Sequence, residues 1–243
     1  MKTKNGAFAG VDVQSINIAF KVRKKKREVF SMEFGHRERI TANLHYNKNL
    51  FSLLLQGNKQ FAGKDVPLGP VIGNALYVRE FPVGIAFPIN IHSKNHAAQI
   101  RPAIRGKFLM GIGNVYTERG DANMYTDPEG KYVDFNLNYL VNTSIPNSTG
   151  GLSGANNLGW GIDLGLGINI DEHFSLDVGL VDVGAIRFKN KAKNYSRTGT
   201  YRYDGAEAKL FTDEEGDRGI NISLNEEILD PVKTENSYTT PWQ

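Results

Sequence analysis

Residues Gly159 to Phe188, GWGIDLGLGINIDEHFSLDVGLVDVGAIRF, alternate between apolar positions and small or polar ones. Ile162, Leu164, Leu166, Ile168 and Ile170 share one parity, with Asp163, Gly165, Gly167 and Asn169 between them. A period of two marks a strand with one apolar face. After the polar turn Asp171-Glu172-His173, the same parity resumes at Phe174, Leu176, Val178 and Leu180. Asp182 and Gly184 interrupt it, and Ile186 and Phe188 carry it on. Two such runs around a short turn predict a β-hairpin. The glycines also raise the question of a phosphate loop. However, Gly159, Gly161, Gly165 and Gly167 do not give G-x-G-x-x-G, and the chain has no Gly-Lys-Ser or Gly-Lys-Thr.

The same alternation recurs elsewhere. Ile16 to Val22 and Glu28 to Phe34 flank Arg23-Lys24-Lys25-Lys26-Arg27, so this basic cluster reads as a solvated hairpin turn rather than a nucleic-acid or anionic-lipid patch. Tyr77, Arg79, Phe81, Val83, Ile85, Phe87, Ile89 and Ile91 share a face, and Pro82 and Pro88 in that run predict an edge or distorted strand. Ile100, Ile104, Phe108, Met110 and Ile112 lie opposite Arg101, Ala103, Arg105 and Lys107. Phe135, Leu137, Tyr139 and Val141 alternate with asparagines, and Tyr201 and Tyr203 lie in a short further run. One segment breaks the pattern. In NKNLFSLLLQG the apolar residues crowd together, with Asn47 or Asn49 as a cap and Gly57 as a stop, which predicts a short helix near 48–57.

This makes about eight strands, several of ten residues or more. Soluble strands average about five or six residues, and a transmembrane strand takes about 9–11. The face opposite the aliphatics is Gly, Asn, Asp, Ser, Arg and Lys. In a soluble sandwich it would meet solvent, and in a membrane barrel it would line a wet lumen. Strand length and long polar excursions favour the second reading: an all-β, antiparallel transmembrane β-barrel. It forms a single domain over residues 1–243, with 205–243 as an acidic excursion outside the membrane.

Composition changes this picture little. The net charge of +3 is mild, and there is no cysteine for a disulfide or thiolate metal site. A mean hydropathy of -0.38 does not argue against alternating strands. No apolar run approaches the ~20 residues of a spanning helix. The start, MKTKNGAFAGVDVQ, lacks the apolar core of a secretory signal, which at face value reads as cytoplasmic; a trimmed signal would read the same.

Candidate chemistry is sparse. His92 and His96 fall in a turn rather than on a helix. DANMYTDPEG places Thr126 and Tyr132 where a calcium loop wants Gly and Glu, and reads as a turn. Asp213, Glu214, Glu215 and Asp217 crowd a loop rather than facing each other across a cleft. No metal, cofactor or catalytic residue is assigned, and the chain is expected not to be an enzyme. Arg101, Arg105, Asp163 and Asp177 are the lumen-facing candidates, set to pair with one another or to select ions. Ile162, Leu164, Leu166, Ile168, Phe174, Leu176, Val178 and Leu180 are the lipid-facing ones.

The order of LFSLLLQGN, YVREFPVGIAFPI, DANMYTDPEG, the 159–205 stretch and ENSYTTP resembles a Bacteroidota family of outer-membrane β-barrels of unknown function. That family is distantly similar to fatty-acid-transporter-like barrels, including the shuttle subunit of type IX secretion. The resemblance covers about Ile16 to Pro241. It implies export to the bacterial outer membrane and contact with its lipid and with envelope or secretion proteins, but not with nucleic acid. It further implies a leading signal peptide and later strands beyond this sequence, and so a partial, open wall. The rival expectation is a soluble β-barrel or sandwich that turns its aliphatics inward and binds a small apolar ligand or glycan.

Overall fold

The computed structural model describes residues 4–92, 97–145, 157–170, 174–204, 207–212, 218–223 and 231–242. In chain order the strands are β1 (Lys4–Lys24), β2 (Arg27–Asn47), β3 (Asp65–Pro67), β4 (Ile72–Ala86), β5 (Ile89–His92), β6 (Ala97–Thr126) and β7 (Val133–Ser144). They continue as β8 (Asn157–Ile170), β9 (Phe174–Phe188), β10 (Ala192–Tyr203), β11 (Glu207–Thr212), β12 (Arg218–Ser223), β13 (Val232–Thr234) and β14 (Tyr238–Trp242). Helix α1 spans Lys48–Gln56, capped by the Asn47 side chain on Asn49 N–H and stopped at Gly57, where φ is 74°. The fold is all-β. Among the described residues, β11 and β12 form a hairpin apart, and the other twelve strands form one antiparallel sheet that is not closed. Eight strands, β1, β2, β4 and β6 to β10, reach twelve residues or more.

The long β6 organises the sheet. One edge pairs with β4. The other pairs with β8 over Ala98–Gly111 and with β7 over Asn114–Thr126. β7 and β8 therefore act as one long strand with an insertion between them. β9 and β10 repeat the arrangement, pairing with β8 and β7, and β14 and β13 repeat it again on β9 and β10. The three breaks coincide, and Asn157 ties two of them, β7/β8 and β9/β10, to β6. Its Nδ2 donates to Gly111 O and Ser144 Oγ, and its Oδ1 accepts from the N–H groups of Lys189 and Asn190. A second polar row runs from Glu118 through Asn142 and Asn194 to Thr234. Most buried polar groups in folded proteins find partners of this kind.

Several sequence expectations change in detail. The basic cluster is a two-residue turn, with Lys25 and Lys26 at positive φ. β4 is not an edge strand, lying between β2 and β6, but it is distorted. Its ladder with β2 skips from Phe34↔Val83 to Arg37↔Glu80 beside Pro82, which has no N–H to donate. Ile112 leaves the outward series at a register shift and is buried. The Tyr201–Tyr203 run is the end of the twelve-residue β10. In 205–243, β13 and β14 return to the main sheet instead of staying outside it. Residues 93–96, with His96, the Asp171-Glu172-His173 turn, and 213–217, with the acidic cluster, lie outside the described residues.

The largest correction falls in β9. The β8–β9 register shifts between Ile162↔Val183 and Leu164↔Leu180, so that Val181 and Asp182 together lie opposite Asp163. This bulge reverses the parity beyond it. Asp182, Ile186 and Phe188 therefore face inward, and Ile186 and Phe188 are fully buried rather than continuing the outer face.

Candidate functional site

The concave face of the sheet begins with small side chains. Ala19, Gly84, Ala86, Ala103, Gly165 and Gly179 help line a cavity of about 680 Å³. Beside it the interior fills with charge. Lys107 Nζ lies 2.7 Å from Asp163 Oδ1 and also bonds Asp182, with the lysine side chain 2% exposed. Arg39 places Nη1 2.8 Å from Asp182 Oδ2 and Nε 3.1 Å from the fully buried Glu80. Arg37 forks onto Asp12, and Arg105 joins Glu33 at 2.5 Å to Asp163 at 3.3 Å. Trp242 donates from Nε1 to Asp182 Oδ1 at 3.1 Å, with the Arg39 guanidinium 4.7 Å from the ring centroid.

Arg39 is on β2 and Asp182 on β9, which are separated in the sheet by β4, β6 and β8. They meet only because the sheet curls around this interior. The bulge in β9 supplies the remaining geometry. Asp182 sits at φ 60°, and its backbone N–H donates to Asp163 Oδ1 at 2.8 Å, which aims its carboxylate at Lys107 and Arg39. Charges this deep persist only when paired, since one left alone costs several kcal/mol.

Next to the charges the interior becomes apolar. Leu76, Val78, Leu109, Ile186, Phe188, Ala192, Tyr238 and Trp242 form one buried cluster. Inward glycines make its room. A Cβ on Gly111 would sit 2.7 Å from the Phe188 ring, and one on Gly159 would collide with Ala185 O. Charge and apolar packing together fill this part of the curl. Beyond it, Arg202 holds the Asp134 carboxyl below its usual range through a hydrogen bond at 2.7 Å.

The four lumen-facing candidates share this inner side. Arg105 and Asp163 are brought together, and Arg101 Nη2 lies 3.5 Å from Glu28. Asp177 stands exposed beside Gly167 and does not reach the buried charges. Of the outward candidates, Ile162, Leu164, Leu166, Phe174, Leu176, Val178 and Leu180 are exposed, and Ile168 is half-buried. Sequence reading missed Arg39, Glu80 and Trp242. It noted Asp182 only as a break in an apolar run, which was the one available signal. Among the described residues, no cluster of three or more His, Asp or Glu could hold a metal ion. No described helix is long and apolar enough to cross a membrane, which says nothing about crossing by strands.

A model of a family of unknown function, DUF5723, matches residues 1–242. The chain belongs to that family. No curated protein matches it, and no solved structure does. In this DUF5723 member the curled strands enclose paired charges beside a packed apolar cluster.

Proposed function

We propose that this chain forms the wall of a bacterial outer-membrane β-barrel whose lumen is blocked, serving as a scaffold or an accessory to transport or secretion. The observation that carries the reading is its polarity. The outer faces of β1, β2, β4, β6, β8 and β9 expose Val13, Ile18, Phe34, Val83, Ile104, Leu164 and Leu180, while ion pairs occupy the inner side. A soluble sandwich would bury those aliphatics, and a contiguous apolar surface of this extent marks contact with a membrane or partner. Lipid is the proposed partner of the outer face, and envelope or secretion proteins are the proposed partners of the ends. The Bacteroidota assignment, and kinship with fatty-acid-transporter-like and secretion-shuttle barrels, belong to the same proposal.

The test is extraction. Expressed and fractionated, the chain should sediment with membranes and need detergent for recovery as a monodisperse species. Recovery as a soluble monomer without detergent would reject the reading.

A further inference from the structure

One group on the outer face does not fit a surface made for hydrocarbon. The β1–β2 register shifts between Gln14↔Arg37 and Ile16↔His36, so Ser15 has no opposite residue in the ladder. Ser15 Oγ lies 2.5 Å from His36 Nδ1. His36 Nε2 lies 3.4 Å from Glu38 Oε1, and Arg79 Nε donates to that same oxygen at 2.6 Å. The ring of Phe81 packs 5.2 Å from the imidazole. Ile16, Phe34 and Ile40 are exposed around the group. Gly35 helps place it, because a Cβ there would sit 2.7 Å from Ile16 O and oppose the bulge.

A hydroxyl on an imidazole whose other nitrogen faces a held carboxylate is the arrangement that activates a weak nucleophile. The three residues are 21 and 2 positions apart in sequence, and only the hairpin register brings them together. Here the ring nitrogens exchange their usual partners, with Nδ1 toward the hydroxyl. That role requires the tautomer with its proton on Nε2, which the Glu38 carboxylate favours. A polar group on an apolar belt is costly, and in membrane proteins such groups mark function.

We propose that Ser15 and His36, positioned by Glu38, cleave acyl esters of the lipid that bathes this face. The substrate class rests on the membrane reading above, whereas the nucleophile does not. Ser15 Oγ forms a bond to the ester carbonyl carbon while its proton passes to His36 Nδ1. Collapse of the tetrahedral adduct breaks the bond to the alcohol oxygen, which leaves with that proton. Water, deprotonated by His36, then attacks the acyl-serine. A fatty acid is released, and the proton returns to Ser15.

The experiment uses the full chain, refolded into phosphatidylethanolamine vesicles and checked for β content by circular dichroism. Three readouts are followed: labelling by a fluorophosphonate probe, hydrolysis of p-nitrophenyl butyrate, and release of fatty acid from the vesicle lipid. Folded wild type should be labelled at Ser15 and active in both assays. Ser15→Ala should lose all three, and His36→Gln should lose about 100-fold or more in rate. Glu38→Gln should slow labelling at unchanged β content, with partial rescue by Glu38→Asp. Folded wild type that is neither labelled nor more active than Ser15→Ala overturns the proposal. Turnover of the soluble ester without lipid release overturns lipid as the substrate and leaves the nucleophile standing.

Discussion

Leu166 and Lys107 show how opposite the two faces are for a single side chain. Leu166 sits mid-run on the outer face of β8, exposed and without charged neighbours on that face. If it meets hydrocarbon, Leu166→Arg should destabilise by about 2–4 kcal/mol, read from equilibrium unfolding out of vesicles. A change near zero would place the residue in water. Lys107 is almost fully buried between Asp163 and Asp182. Lys107→Met removes a cation that Asp163 and Asp182 share, leaving them to Arg105 and Arg39 respectively, and should cost about 1–3 kcal/mol in the same assay. Replacing an outward residue of similar exposure, Val178→Met, should cost little. The two inner carboxylates, not the size of the new side chain, set the difference.

At the scale of elements, the sequence was legible wherever one parity persisted. The β8 run, the first half of β9, the Lys25-Lys26 turn and the Asn47 cap with its Gly57 stop could all be read from local pattern, because each is decided within a few residues. Pairing between distant residues was not legible. The bulge at Val181 reverses the faces of Ile186 and Phe188, yet a bulge leaves alternation looking intact when small and apolar residues follow it. Nor did the sequence show that β7 and β8 share one edge of β6, since that depends on register across an insertion. The device that joins them is Asn157, whose amide satisfies groups from β6, β7 and the β9–β10 turn. Asn157→Ala would leave buried donors and acceptors unpaired at about 1–3 kcal/mol. Hydrogen exchange should then speed at Lys189 and Asn190 well before it speeds in the middle of β6.

For the whole molecule, the two tryptophans report the two environments separately. Trp160 is 57% exposed on the outer face, and Trp242 is 1% exposed in the interior. In vesicles containing brominated acyl chains, the Trp242→Phe variant, which keeps only Trp160, should be strongly quenched. The Trp160→Phe variant should keep its emission. Equal quenching of both would reject a filled interior, and quenching of neither would reject contact with lipid. The bulge itself carries a further meaning. It works as a phase inverter: one surplus residue turns a strand inside out halfway along its length without lengthening the sheet. Removing Val181 would swing two bulky hydrophobes to the exterior and take the indole's acceptor away with them. The gap between a filled curl and an empty one is then a single codon, and limited proteolysis at the Trp242 end of such a deletion should show the packed interior coming loose.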